Sequence, residues 1–300
     1  MSDERARILK LLEEGKVTAD QAVRLLDALK AKPAEPEPPC QPPFMGRRMH
    51  HRMAFRGIER IPDIVSEAIA SAMNLDDAPD ADAKRDFPDR HSLEVKNISG
   101  DVTVKGWDEN RITLAFSGSG LTRASEVYDK VVVRSVSGDL DAQVPHDAKL
   151  VLTSVSGDVQ VEGVNAKCVV KTVSGDADLT DCAGSVTVEA VSGDLGLERV
   201  TGELRVESES GDIDVEPVGA FSGMLVSKSG DVTLRLHSDA DVLLDLKCEE
   251  DGEIDVDLGF PHEVLEPGEN AMKLKLGAGS RQLKVRTHRA DIEIREAKEE

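Results

Sequence analysis

Aromatic residues are nearly missing from this 300-residue chain. They make up 3% of it, with one tryptophan, Trp107, and one tyrosine, Tyr128. Any core must therefore be built from Val, Leu, Ile and Ala. The aromatic platforms that carbohydrate sites usually offer are scarce as well. Cysteine is sparse too: Cys40, Cys168, Cys182 and Cys248 show no CxxC or zinc spacing, and Cys168 and Cys182 read as small core residues. No stretch approaches the ~20 apolar residues that a membrane span needs. The opening Met1-Ser2-Asp3-Glu4-Arg5 is acidic and leads into an amphipathic pattern rather than an apolar run, unlike a signal peptide. A cytoplasmic location is expected. Positive charge is in deficit, with 37 Lys and Arg against 58 Asp and Glu, for a net charge of −21 and a pI near 4.8. Nucleic acid is not an expected partner for such a surface, because phosphate binding needs clustered cations.

What the chain has in abundance is one motif. Ser-Gly-Asp occurs at 99–101, 137–139, 156–158, 174–176, 192–194, 210–212 and 229–231, in steps of 38, 19, 18, 18, 18 and 19. The turn residues of these repeats are Gly100 and Asp101, Gly138 and Asp139, Gly157 and Asp158, Gly175 and Asp176, Gly193 and Asp194, Gly211 and Asp212, and Gly230 and Asp231. The step of 38 reads as two rungs with a degenerate middle at 117–120. Downstream, Asp251-Gly252-Glu253 and Arg289-Ala290-Asp291 occupy equivalent places, with a middle rung expected near Asn270-Ala271.

Aligning the repeats on the glycine produces columns. Leu150, Cys168, Val186 and Leu204 share one, and Leu152, Val170, Val188 and Val206 the next. Ser154, Thr172, Ala190 and Ser208 form a small-residue column. After the turn come Val159, Ala177, Leu195 and Ile213, then Val161, Leu179, Leu197 and Val215. Polar residues fall between them, which is the period-2 signature of strands with one apolar face. No helices are interleaved to cover those faces, so two sheets must cover each other. The expected fold is mainly β: a β-solenoid of 18–19-residue repeats over residues 91–295, each with two short strands stacked parallel and in register. An antiparallel sandwich with Ser-Gly-Asp as hairpin turns is the alternative.

The N-terminal third has a different pattern. Residues 1–31 read as a helical hairpin. Ile8, Leu11 and Leu12 line one helix, Val23, Leu26 and Leu29 the other, and Thr18 with Gln21 forms a capping box. So small a unit rarely folds alone, so the hairpin is expected to self-associate or dock on a protein partner. Residues 32–56 hold a Pro-rich spacer and then a basic arm with Arg47, Arg48, Arg52 and Arg56. Ile61, Ile64, Val65 and Ile69 place an amphipathic helix over 57–75, and 76–90 reads as an acidic tether. Segment 46–74 either caps the stack or meets a partner or an anionic membrane surface, which would make the protein membrane-peripheral.

The Ser-Val-Ser-Gly-Asp-Val-x-Val repeat resembles the bacterial "putative adhesin" β-repeat domain. The segment from Ile8-Leu9-Lys10-Leu11-Leu12 through Gly15-Lys16-Val17-Thr18 to Ala22 is similar to the short helical hairpin that opens YvlB/LiaX-type proteins. The pairing implies a role in cell-envelope stress without known catalysis. The Pro-rich linker and the Met/His/Arg arm have no counterpart in that pattern.

A solenoid would align the repeat aspartates into a ladder about 4.8 Å apart, with a repulsion of roughly 0.9 kcal/mol per pair in water. Calcium would relieve it, but the Gly-Gly-x-Gly-x-Asp pattern of calcium β-rolls is missing. No metal or other cofactor is expected. The Met49-His50-His51-Met53 cluster suits a soft metal only on paper, and His146, His237, His262 and His288 are scattered. No GxSxG, HExxH, P-loop or dinucleotide fingerprint occurs. A polysaccharide-acting β-helix enzyme would need a break in the regular columns, for which 106–130 and 248–270 are the candidates. The sequence thus reads as a non-enzymatic scaffold or binding protein of the envelope-stress type, with a surface-exported adhesin as the alternative.

Overall fold

The structure, a computed structural model, describes residues 84–118, 122–250 and 252–298. The hairpin at 1–31, the linker and arm at 32–56 and the helix at 57–75 lie outside the described residues, as do Ile8, Leu11, Leu12, Val23, Leu26, Leu29, Arg47, Arg48, Arg52, Arg56, Ile61, Ile64, Val65 and Ile69. The described residues form twenty-one strands and no helix. The first, Lys84–Pro88, falls within the segment read as a tether, so the β region begins ahead of residue 91.

One repeat explains the rest. In the strand Lys149–Ser156, Leu150 and Leu152 point inward while Lys149 and Val151 face out. The Ser-Gly-Asp turn reverses the chain onto the opposite face, where Val159 and Val161 of the strand Val159–Glu162 point back into the same core. The next repeat lies directly alongside in parallel: Leu150 pairs with Cys168, Leu152 with Val170, Val159 with Ala177 and Val161 with Leu179. The registration continues through Val186 and Val188 to Leu204 and Val206. The five columns aligned above are buried, Cys168 included; in a further column read from the sequence, Val164, Cys182 and Val200 are buried and Val218 is only half-buried. The fold is mainly β and solenoid-like. The strands Leu195–Ser210 and Ile213–Ser229 run on around the second corner, with register shifts near Val200.

The spatial order of the repeats departs from their order in the sequence. The repeat beginning at Ser92 lies between the one beginning at Lys130 and the one beginning at Lys149. At the other end, the last repeat, Arg281–Thr287 with Ile292–Glu296, is inserted between Gly223–Leu236 and Val242–Asp257. The 38-residue steps are therefore not two stacked rungs. Residues 99–101 and 137–139 are direct neighbours, as are 252–253 and 290–291. The intervening residues leave the parallel stack and pair antiparallel at its ends: Lys84–Pro88 with Arg111–Ser117, Thr122–Val127 with Lys130–Ser135, and Glu263–Glu266 with Ala271–Leu276. Among the described residues, the expected middle rungs do not form: Ser117 pairs antiparallel with Asp139, and Ala271 pairs antiparallel with Lys247. The physical reason is the open end of a parallel stack, which offers a row of unpaired amides and carbonyls. Placing the first and last repeats one position inside the stack pairs both on either side.

The turn explains the invariant glycine. Gly193 has φ of +121°, a region that side chains rarely adopt, and a Cβ there would press into the carbonyl oxygen of Gly175. Three residues on, Gly196 sits in an extended strand, where a Cβ would meet only the flexible Asp178 carboxylate, at 2.6 Å from its Oδ1. Gly193→Ala is therefore expected to cost on the order of 3 kcal/mol or abolish folding. Gly196→Ala is expected to change stability by less than about 1 kcal/mol. Paired urea melts of the two variants check both.

Candidate functional site

The repeat aspartates stand in one line along the turn edge, and each carboxylate has a structural partner. Asp139 Oδ1 accepts the backbone N–H of Asp101 at 3.1 Å, and Asp101 Oδ1 accepts that of Asp158 at 3.0 Å. The chain of bonds passes through Asp176, Asp194, Asp212 and Asp231 at 2.8 to 3.0 Å. Asp231 then takes the N–H of Asp291, and Asp291 the N–H of Glu253. Each turn is tied a second time through its backbone: Val159 N–H donates to Asp176 O, and Ala177 N–H to Asp194 O. The carboxylate dipped toward an amide satisfies a donor that the tight turn leaves unpaired, and a charged acceptor makes the stronger kind of hydrogen bond. That attraction offsets the repulsion between successive charges.

The small-residue column has a matching role at some turns. Thr172 Oγ1 donates to Gly175 O and Ser208 Oγ to Gly211 O, both at 3.5 Å, while Ala190 has no donor and Ser154 Oγ has no partner among the described residues. At the equivalent places of other repeats Ser227 Oγ donates to Gly230 O and Thr287 Oγ1 to Ala290 O, both at 2.7 Å, and Asn97 Nδ2 to Gly100 O. Sequence reasoning saw only that these positions are small. Their offset of three residues before the turn glycine was the available signal for a side chain bonding its own turn. At the second corner, Asp181 and Arg199 adopt φ of +54° and +51°, and the Arg199 guanidinium grips the Asp181 carboxylate at 2.7 and 3.0 Å.

The strands that follow the turns present a long groove on their outer face, made of three hollows that share residues. The first is lined by Lys84, Thr113, Asp141 and Gln143 and shares Thr103 and Lys105 with the second. The second runs past Gln160, Asp178, Thr180 and Gly196 to Glu198. From Glu198 the third opens into a cleft of about 1050 Å³ that includes Glu216, Arg235, His237 and Arg295. Most of its charges are matched internally. Lys105 pairs with Glu162 at 2.9 Å, Arg235 with Asp214, His237 with Glu216 at 3.3 Å and Arg295 with Asp255 at 2.9 Å. Asp178 differs: burial, followed by the neighbouring charges of Asp176, Asp158 and Glu198, holds its carboxyl above the usual range. Asp214 is raised by burial too, with Arg235 opposing and Glu198 and Glu216 adding to the rise.

Chemically, the groove can hydrogen-bond and ion-pair along an extended polar molecule. Among the described residues, no group of three or more His, Cys, Asp or Glu comes together as a metal site. The thiols of Cys168, Cys182 and Cys248 are buried, and burial raises each of them, away from the reactive thiolate. The two irregular segments, 106–130 and 248–270, contribute the antiparallel ends. There Trp107 Nε1 donates to Arg111 O at 2.9 Å, with the Arg111 guanidinium over its ring, and Tyr128 stands 95% exposed.

Two outcomes are expected. Asp194→Ala removes an acceptor from the Asp212 amide and should cost about 1 kcal/mol, whereas Asp194→Asn keeps an oxygen there and should cost less; thermal melts compare them. For Asp178, the folded carboxyl titrates above its unfolded value of about 3.9, so ionisation works against folding and stability falls as pH rises through that window. Asp178→Asn should raise Tm at pH 7, and the gain should vanish near pH 3. A Tm difference of constant size from pH 3 to 7 would refute the burial argument.

Comparison with known proteins agrees with this geometry. Residues 79–224 match the Toastrack DUF4097 family, and residues 3–34 match the SHOCT-like domain. No curated protein matches the chain. Among solved structures, a "putative cell adhesion protein" from Clostridium sporogenes is 11% identical, covering 72% of this chain and all of its own, with a TM-score of 0.31. A "putative adhesin" from Bacteroides fragilis is 8% identical, covering 72% of this chain and 98% of its own, with a TM-score of 0.34. One from Parabacteroides distasonis is 10% identical, covering 73% and 98%, with a TM-score of 0.26. TM-scores this low carry no argument about the present chain. The Ser-Gly-Asp repeats from Gly100 to Asp212 fall within the residues that match the Toastrack DUF4097 family.

Proposed function

We propose that this protein is a non-enzymatic scaffold that works beside the membrane in an envelope-stress response. In this reading the N-terminal hairpin binds a protein partner or a second copy. The basic arm and the helix at 46–74 touch anionic lipid, and the β-solenoid serves as a stiff spacer with a long polar groove for an extended ligand. The observation that carries the non-enzymatic part is the use of the repeat carboxylates. Catalytic carboxylates need freedom to exchange protons or attack. Here, from Asp139 to Asp291, each repeat aspartate spends its Oδ1 on the next turn's amide. The match of residues 3–34 to the SHOCT-like domain supports a separate N-terminal module.

Vesicle flotation tests the membrane-proximal part. The full chain should float with vesicles containing anionic lipid at low salt and be released by salt, because each basic residue near such a surface contributes about 1 kcal/mol. A variant with Arg47, Arg48, Arg52 and Arg56 changed to Glu should stay at the bottom. If wild type and variant both fail to float, the arm is not a lipid contact and the membrane-proximal reading falls.

A further inference from the structure

The two ends of the stack are built alike and charged differently. At the N-terminal end of the described residues the outermost strands are Lys84–Pro88 on one face and Thr122–Val127 on the other, each paired on one side only among the described residues. At the C-terminal end they are Ile254–Asp257 and Glu263–Glu266, again paired on one side only. Each end therefore leaves two strand edges whose amides and carbonyls can accept another strand. The C-terminal edges lie in an acidic stretch: residues 248–272 contain nine Asp and Glu and no Lys or Arg, while Lys273, Lys275 and Arg295 of the adjoining strands pair with Glu266, Glu263 and Asp255 and leave an excess of carboxylates. At the N-terminal end, Lys84 and Arg123 stand on the two edge strands without an ion pair among the described residues. Apolar surface accompanies both ends. Val264 and Leu265 are 45% and 44% exposed, and Val256 and Phe260 only partly cover the end of the core. Val127 and Tyr128 are exposed opposite them.

We propose that the ends bind a second copy of this chain head to tail, the acidic C-terminal end of one molecule on the N-terminal end of the next. Strand direction is compatible on both faces. With the two molecules in the same orientation, Glu263–Glu266 meets Thr122–Val127 antiparallel, and Ile254–Asp257 meets Lys84–Pro88 parallel; both are ordinary sheet pairings. Charged edge strands ordinarily keep sheets apart. Here an excess of carboxylates lies at one end, while at the other Lys84 and Arg123 have no ion pair among the described residues, so the arrangement disfavours like ends and favours unlike ones. Such a contact is heterologous and need not close, so it extends into a row of molecules.

Sedimentation velocity of the full chain at micromolar concentration and low salt tests this. The expected result is a series of species beyond the dimer that grows with concentration and shrinks as salt screens the ends. Glu263→Lys with Glu266→Lys should abolish the series, and so should Lys84→Glu with Arg123→Glu. An equimolar mixture of the two variants should restore it, which also shows that neither is merely misfolded. A contact through the N-terminal hairpin alone would stop at a dimer, so the loss of species above the dimer in each variant supports stacking whether or not a dimer remains. A wild-type distribution that ends at monomer or dimer overturns the inference, as does a series that survives in both variants.

Discussion

The structure depends on one contact, the bond from each repeat aspartate to the backbone amide of the next repeat's aspartate. A turn this tight needs φ near +120° at its glycine and leaves no room for a side chain against the neighbouring carbonyl. The aspartate follows immediately, and its carboxylate accepts the backbone N–H of the neighbouring repeat's aspartate. Repeats can then stack only where Gly lies on Gly and Asp on Asp, so the turn fixes the register of both faces. The apolar columns fall into line as a consequence. The hydrophobic effect supplies most of the drive to collapse but little information about register, and a slip of one residue would turn every core side chain outward.

The ends reveal the second constraint. A parallel stack has two terminal strands with no further repeat to pair with. The chain solves this by leaving the repeat pattern after its first unit, building antiparallel strands, and returning to lay the repeat Lys130–Pro145 outside the first. The last repeat is enclosed in the same way. The result encloses the C-terminal strand of the β region, Ile292–Glu296, between two others, away from the outermost position where fraying would start, whereas Lys84–Pro88 stays at the edge of its face.

Much of this was legible in the sequence. The Ser-Gly-Asp spacing and the flanking columns named the strands, their inward faces and their parallel partners from Leu150 to Val215. The order of the end repeats was not legible, because a step of 38 fits two stacked rungs as well as one rung plus a detour, and composition does not separate them. The alternating pattern of Arg111–Ser117 shows a strand but not its direction. The aspartate line was foreseen as a problem of repulsion; its solution, an amide donor for every carboxylate, depends on backbone geometry that no residue pattern states. The groove escaped notice because its residues, from Lys105 to Arg295, are the polar half of each strand and look like ordinary solvated surface. Gly196 was the one signal, a glycine where an outward side chain belongs and no turn requires it.

If the aspartate-to-amide ladder organises the fold, those amides must be shielded even though they lie on an exposed edge. Hydrogen exchange at the amides of Asp158, Asp176, Asp194, Asp212 and Asp231 measures this directly. The account predicts slow exchange at all five at neutral pH, comparable to the buried strands beside them. It also predicts that the shielding at these positions weakens ahead of the strands when the carboxylates are protonated in acid. Exchange at these five amides as fast as in an open loop, while the strands stay protected, would contradict it.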